Sequence, residues 1–284
     1  MGIFQKKDAW TKLNEKDFNK LVKSLKEFGQ LQRIIGVFHA TGTLKAMWNK
    51  MSGMGGGTAM YNDKKAYLDM LSSMLLHEIK CVLSGHYHIA KLQLMARRKT
   101  FTAEYATKTM AAADYGAKDT DTGLAKASQY IIFTSNSLKK TADAGGAVTR
   151  GAITAALENA AQYDPRSEAT LRDLHRRIVD QTTLKPTRCM DKGAPYPSTG
   201  GAGFLLETTF AMAKGIPLPP HGDAAWFDLA CFLLGASIRS HGFTDGNGRI
   251  GRAAFATAML KGGGTFVALK VEAEKLIHGL DSVS

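Results

Sequence analysis

The residues best suited to chemistry in this chain lie in one run, from His241 to Arg252. The run reads His-Gly-Phe-Thr-Asp-Gly-Asn-Gly-Arg-Ile-Gly-Arg. It combines an imidazole, a carboxylate, two guanidinium groups and glycines that let backbone amides approach an anion closely. These groups are the ones that phosphoryl or nucleotidyl transfer needs. The phosphates must be bound by N–H groups and positive charge, and a base must take a proton from the attacking hydroxyl.

The imidazole and the carboxylate have the clearest expected roles. His241 is the expected general base, because an imidazole titrates near neutral pH. Asp245 offers hard oxygen ligands and is expected to hold Mg²⁺ between the α- and β-phosphates of a nucleotide. Its alternative role is to close a turn or to cap a helix. We predict that His241, Asn247 and Arg249 are the catalytic residues.

The second half of the run is expected to bind the phosphates. Gly246, Asn247 and Gly248 would present amide groups to an anion, and the Asn247 side chain would donate to an α-phosphate oxygen. A plain Gly-Asn-Gly turn is the alternative. Arg249 and Arg252 are three residues apart at the start of a predicted helix, so both project from one side and can reach phosphate oxygens. For Arg252, a surface salt bridge is the alternative.

The run resembles the signature of the Fic family, His-Pro-Phe-x-Asp/Glu-Gly-Asn-Gly-Arg-x-x-Arg. Every fixed position but one agrees, which makes the match far more specific than a lone glycine-rich loop. The departure is Gly242, where the family usually has proline, and it predicts a looser turn after the base. Phosphorylating relatives carry lysine where this chain has Gly248, so the resemblance favours nucleotide transfer.

The resemblance implies a mainly α fold, with a Fic-type helical core, a short β-hairpin flap and a helical N-terminal region before them. Apolar spacing predicts helices over about 14–34, 63–98, 223–240 and 249–260 and one more within 112–146. The small-residue stretch 141–146 is the candidate boundary between the two halves of the chain. In the family order, the helix at 170–180 precedes the flap, and residues 186–204, with Arg188, form it. The flap would hold the target segment by main-chain pairing. Phe243 is expected to anchor the motif loop in the core.

A second segment has a weaker family resemblance. Residues 154–159 read Thr-Ala-Ala-Leu-Glu-Asn, which fits the pattern of Fic inhibitory helices. In that family the glutamate pairs with the second motif arginine and blocks the γ-phosphate site. Here this would mean a contact between Glu158 and Arg252. An ordinary core helix is the other interpretation.

The charge of the chain is concentrated in its first third. The whole chain has a formal net charge of +12, and residues 1–100 hold 14 Lys and 3 Arg against 7 Asp and Glu. A solvated basic surface is the plainest interpretation. Recognition of an acidic protein or an anionic membrane is the functional one, and a nucleic acid is the least expected partner. We predict a helical N-terminal region, 1–145, for targeting or partner recognition, and a catalytic domain, 146–284. A fragment that starts near Gly146 should then still bind ATP.

The overall composition sets limits on the class of protein. The hydrophobic share is 44% and the charged share 22%, as in ordinary soluble domains. Three widely spaced cysteines argue against a disulfide framework. The first residues lack an apolar segment of the Sec type. We therefore expect a cytoplasmic protein, or one secreted into a host cytoplasm by a route without a Sec signal.

The resemblance implies a protein adenylyltransferase that moves AMP from ATP, with Mg²⁺, to a Ser, Thr or Tyr hydroxyl of a target protein. A small GTPase is one target class that it implies, and a bacterial effector or toxin is one role. Two alternatives are kept. One is a Fic-fold transferase with another donor, for UMP or phosphocholine transfer. The other is a non-catalytic binding module with a vestigial motif.

Overall fold

A computed structural model describes residues 64–135, 150–179, 196–197, 199–243, 246–263 and 266–279. The helix expected near 14–34, the boundary stretch 141–146 and most of the predicted flap lie outside these ranges. The described residues are mostly helical, as the sequence predicts. Their elements, in chain order, are α1 Lys64–Arg97, α2 Thr100–Tyr105, β1 Thr109–Met110, a 3₁₀ turn Ala112–Tyr115, α3 Gly123–Thr134, α4 Arg150–Ala160, α5 Glu168–Val179, α6 Thr199–Lys214, α7 Ala225–Ser240, α8 Asn247–Gly263, β2 Ala268–Leu269 and α9 Val271–His278.

The chain divides into two compact units. One comprises residues 84–185 and 205–284, and the other comprises residues 1–83 and 186–204. In the second of these, the described residues are 64–83, 196–197 and 199–204, and the helical ones belong to α1 and α6. No helix among the described residues is both long and apolar enough to span a membrane.

Helix α7 is the centre of the larger unit. Every residue from Trp226 to Ser240 is buried, which is expected of a helix that is apolar around its whole circumference. Helix α8 packs along it, and α2 and α9 also contact it. A side chain at Gly251 of α8 would lie 2.6 Å from Ile238 Cγ1 and 3.1 Å from the Leu234 carbonyl oxygen. The glycine therefore lets the two helices approach closely beside the motif.

Helices α3, α4 and α5 cover the other side of α8. The apolar positions of α5 recur at helical spacing, at Leu171, Leu174 and Ile178, and all three are buried. Helix α3 contributes Tyr130 and Ile131, which are fully buried. The end of α5 and the start of α8 are thus brought together, because both belong to the same packed layer.

The larger compact unit comprises residues 84–185 and 205–284, and the domain boundary expected at residue 146 stays a prediction. Residues 84–134 pack with the helices that flank the motif. The Asp228 carboxylate of α7 accepts hydrogen bonds from Thr102 N at 3.1 Å and Thr102 Oγ1 at 2.5 Å, which joins α2 to the centre of the core. The small residues of 141–146 suggest a boundary through their local composition. The compact units are instead defined by contacts between residues distant in sequence. A recognition role for 1–145 stays a prediction.

The strands and α6 differ from the expected flap. The described strands form a two-stranded antiparallel sheet that pairs Thr109 with Leu269 and Met110 with Ala268, so this sheet is not the flap. Residues 199–204, placed in the flap by their glycines, form the first turns of α6. Leu205, Leu206 and Phe210 are buried on this helix. Helical packing therefore outweighs the poor helix propensity of its start.

Candidate functional site

The motif forms the connection between the two central helices. Helix α7 ends at Ser240 because His241 adopts a left-handed conformation as its C-cap, with φ 48° and ψ 44°. Among the described non-glycine residues, only Lys99 shares a positive φ. Such backbone conformations are costly and concentrate at functional sites. His241 is half-buried. The structure therefore places the predicted base at the rim of the core, at the end of its most buried helix.

Phe243 anchors the loop, as the sequence predicts. Its side chain is 3% exposed and stacks on the ring of His175 in α5, with a centroid distance of 4.0 Å and an interplanar angle of 10°. The contact fixes the loop against the last turns of α5. No role for His175 was predicted from the sequence. His175 lies four residues after the buried Leu171, on the same face of α5. This spacing was the signal that could have identified it.

The Asn247 side chain bonds the backbone of the motif loop, a role that the sequence did not predict. Its Oδ1 accepts a hydrogen bond from Phe243 N at 2.9 Å, and its Nδ2 donates to the Phe243 carbonyl oxygen at 2.7 Å. Only 5% of the residue is exposed. The side chain therefore closes the motif loop onto the start of α8. One Nδ2 hydrogen is left over from this pair, and its donation to a phosphate stays a prediction.

Gly246 is required by the geometry of the loop. Its φ is +76°, and a Cβ at this position would lie 2.5 Å from Val179 Cγ2, at the end of α5. Both conditions exclude a larger residue without movement. Gly242 is more permissive, because a Cβ there would lie 3.0 Å from the tip of the Leu206 side chain. A proline at position 242, as in the family signature, would therefore contact the end of the Leu206 side chain and no backbone atom among the nearest neighbours.

We expect that Gly246→Ala destabilises the protein by about 2–5 kcal/mol, from the left-handed backbone and from overpacking against Val179. Gly222→Ala is the matched control. Gly222 also has a positive φ, +82°, but no atom lies within 4 Å of the added methyl group. Thermal melting of both variants separates the two causes. Equal melting temperatures would show that contact with Val179 adds no cost.

The first turn of α8 is the expected phosphate-binding end of the motif. The helix begins at Asn247, so the backbone amides of its first residues have no helical acceptor within the helix. Gly248 and Arg249 lie in this turn and are half-buried. A Cβ at Gly248 would lie 3.2 Å from Arg252 Nη1. The glycine thus leaves the space beside the amides open, and a guanidinium nitrogen borders it.

Arg252 forms a buried ion pair that the sequence did not predict. Its Nε and Nη2 donate to the carboxylate of Glu274 in α9, with a shortest distance of 2.7 Å. Glu274 is 1% exposed, and the Arg252 side chain is 17% exposed. Burial raises the pKa of the Glu274 carboxyl and lowers the pKa of Arg252, since both charges lie away from water, while their direct contact opposes both shifts. Arg252 is therefore not a surface salt bridge.

This pair also bears on the two interpretations of residues 154–159. Glu158 is exposed, and the carboxylate that binds Arg252 belongs to Glu274. Thr154 Oγ1 donates to the Arg150 carbonyl oxygen at 2.8 Å, and Asn159 Nδ2 donates to Asp173 at 3.1 Å. In this structure the segment is part of an ordinary core helix, α4.

Two predicted groups cannot be placed. Asp245, the expected magnesium ligand, and Arg188 in the predicted flap lie outside the described residues. Among the residues that the structure describes, no group of three or more His, Cys, Asp or Glu side chains is arranged to hold a metal ion. The structure places Asn247 and Arg252 with Gly248 in the first two turns of α8 and His241 at the end of α7, and the metal site stays a prediction.

The chain is similar in sequence to known proteins over the segment that carries the motif. Residues 165–259 match the Fic/DOC family. The protein adenylyltransferase VopS of Vibrio parahaemolyticus serotype O3:K6 (strain RIMD 2210633) is 33% identical over 111 residues. That alignment covers 39% of this chain and 27% of VopS, so it spans about a quarter of the length of this curated relative.

The fold is also similar to a solved structure. A crystal structure of the Fic domain-containing AMPylator VopS matches with a TM-score of 0.63 over 95% of this chain and 89% of that chain, at 21% identity. At this identity the likeness shows the fold alone.

Proposed function

We propose, from the match of residues 165–259 to the Fic/DOC family, that this chain is a protein adenylyltransferase that moves AMP from ATP to a hydroxyl of a target protein. The observation that carries the proposal is the short loop between α7 and α8. It holds His241 at one end and the first-turn amides of α8 at the other, with Arg252 Nη1 beside Gly248. The proposed base and the proposed phosphate-binding end thus lie at the two ends of one short stretch of sequence.

In the proposed reaction, His241 takes the proton of a Ser, Thr or Tyr hydroxyl. The oxygen then forms a bond to the α-phosphorus of ATP, and the bond between that phosphorus and the α–β bridging oxygen breaks, so pyrophosphate leaves. Amides of the α8 start and the guanidinium of Arg249 would stabilise the charge on the α-phosphate oxygens. Arg252 would contact the outer phosphates. The location of His241 at the end of α7 and of Arg249 and Arg252 on α8 supports these proposed roles.

Mg²⁺ fits this arrangement as part of the nucleotide. In nucleotide sites this ion is usually held by one or two carboxylates together with substrate phosphates, and the motif offers one carboxylate, Asp245. When bound there, the ion would neutralise charge on the α- and β-phosphates. The guanidinium nitrogen of Arg252 beside Gly248 supports the expectation that the phosphates sharing the ion would lie at the start of α8.

The target is proposed only as a class. It is a protein with an exposed hydroxyl, and small GTPases are the first class to test. The basic residues of 1–100 could attract an acidic surface of such a protein or an anionic membrane.

The test is transfer of label from ATP to protein, with the wild-type chain, a panel of candidate proteins and the chain itself as acceptors. We expect that ATP labelled at the α-phosphate transfers its label and that ATP labelled at the γ-phosphate does not. Labelled UTP and CDP-choline are the competing donors. Transfer from either one, with none from ATP, would replace adenylylation by another nucleotide-dependent transfer. Absence of transfer from all donors would leave a binding module.

A further inference from the structure

The ion pair between Arg252 and Glu274 involves only part of the guanidinium group. Nε lies 3.1 Å from Oε1 and 2.9 Å from Oε2 of Glu274, and Nη2 lies 2.7 Å from Oε2. The carboxylate therefore binds one edge of the planar group. The remaining nitrogen, Nη1, faces the first turn of α8, 3.2 Å from the position of a Cβ on Gly248. The orientation of the guanidinium is thus defined by the carboxylate.

The carboxylate itself is held in place. The hydroxyl of Tyr130 in α3 donates to Glu274 Oε1. A carboxylate with this many donors has little freedom to rotate. Because Glu274 is almost fully buried, water does not compete for its oxygens.

Helix α9, which carries Glu274, is fixed at both ends. Before it begins, Lys270 N donates to the Lys108 carbonyl oxygen at 3.0 Å. At its other end, the His88 ring contacts the Ile277 carbonyl oxygen at 2.8 Å, and Arg239 Nη1 donates to the Gly279 carbonyl oxygen at 3.3 Å. These contacts come from three different parts of the chain. They make α9 a rigid support for its one buried carboxylate.

We propose that Glu274 is a positioning residue, which holds Arg252 so that Nη1 meets an outer phosphate of the nucleotide bound at the start of α8. The inference rests on the proposed function of that site. An arginine that is already oriented loses less side-chain freedom when it binds a phosphate. Glu274 would act only through Arg252, because its own oxygens are occupied by Arg252 and Tyr130.

A purely structural ion pair makes a different prediction. Removing such a pair lowers the melting temperature but does not discriminate between nucleotides. A positioning role affects ligands that have a β- or γ-phosphate and spares AMP, which has neither. ATP and AMP affinities measured by calorimetry therefore distinguish the two roles.

The test is a double-mutant cycle on the full chain with Glu274→Gln, Arg252→Ala and the double variant. Glutamine keeps the size of the side chain and an oxygen that can accept from Tyr130. We expect Glu274→Gln to weaken ATP binding by about tenfold and to leave AMP binding unchanged. In the Arg252→Ala background, the same change should have no further effect on ATP. Glu272→Gln, an exposed site on the same helix, is the control for the loss of charge and should match the wild type.

The outcomes separate the two proposals. Wild-type ATP affinity in Glu274→Gln, with weaker binding in Arg252→Ala, would overturn the positioning role and leave the proposed function standing. Tighter ATP binding in Glu274→Gln would also overturn it, because the carboxylate would then restrain Arg252. A wild-type chain that binds no ATP would contradict the proposed function itself. If Glu274→Gln does not fold, Tyr130→Phe replaces it, with a smaller loss of ATP affinity expected and unchanged affinity counting against the role.

Discussion

Replacing His241 by alanine is expected to reduce transfer by about 10²–10⁴-fold, the usual contribution of a general base. The loss should appear in the rate of the chemical step, because His241 would act on the hydroxyl and not on the phosphates. ATP affinity should stay close to that of the wild type, since the start of α8 and the side chain of Arg252 are unchanged. Labelled transfer and calorimetric binding, measured on the same preparations, test both halves of this expectation.

A matched control for this variant is available on the same chain. His221 lies in an exposed turn before α7, so His221→Ala removes an imidazole without affecting the motif loop and should transfer at the wild-type rate. If His241→Ala kept more than about a tenth of the activity, a base contribution of this size would be ruled out. If it lost ATP binding as well, the residue would belong to the nucleotide site or to the support of the loop.

A fragment that starts at Gly146 is expected to fail to fold, whereas the full chain should fold. The fragment loses helices α1, α2 and α3, with the fully buried side chains Phe101, Tyr130 and Ile131. Each buried side chain of this size contributes about 1.5–3 kcal/mol. The whole stability of a domain is only about 5–15 kcal/mol. The loss of these and neighbouring side chains is therefore comparable with the entire stability.

Polar groups add to the cost of that truncation. Asp228 would lose Thr102, and Glu274 would lose Tyr130, which leaves two buried carboxylates with fewer donors. Soluble expression and thermal melting by circular dichroism compare the fragment with the full chain. A cooperative melt of the Gly146 fragment at the temperature of the full chain would support the boundary that the sequence predicts. ATP binding by that fragment would then show that residues 1–145 are dispensable for the nucleotide site.

The motif and its two flanking helices were predictable from the sequence because their signals are local. The apolar run before His241 predicted a central helix over 223–240, and the structure has it at Ala225–Ser240. The alanine-rich segment after the motif predicted the next helix, which begins at Asn247. The anchoring of Phe243 was also predictable from the sequence, since a large apolar ring in a polar loop is usually buried in the core. The family resemblance came from residue types at fixed spacing within one short segment.

The tertiary structure alone decided which distant residues support that motif. Glu274 reaches Arg252 from a helix beyond β2, Tyr130 reaches Glu274 from α3, and His175 reaches Phe243 from α5. It also placed residues 84–134 in the same compact unit as the motif. Periodicity and spacing report which face of a helix is apolar, but not which helix covers it, because that choice depends on the packing of the whole core. The sequence by itself therefore determined the reactive groups and their order, and only the fold determined the carboxylate, the ring and the helices that hold them in position.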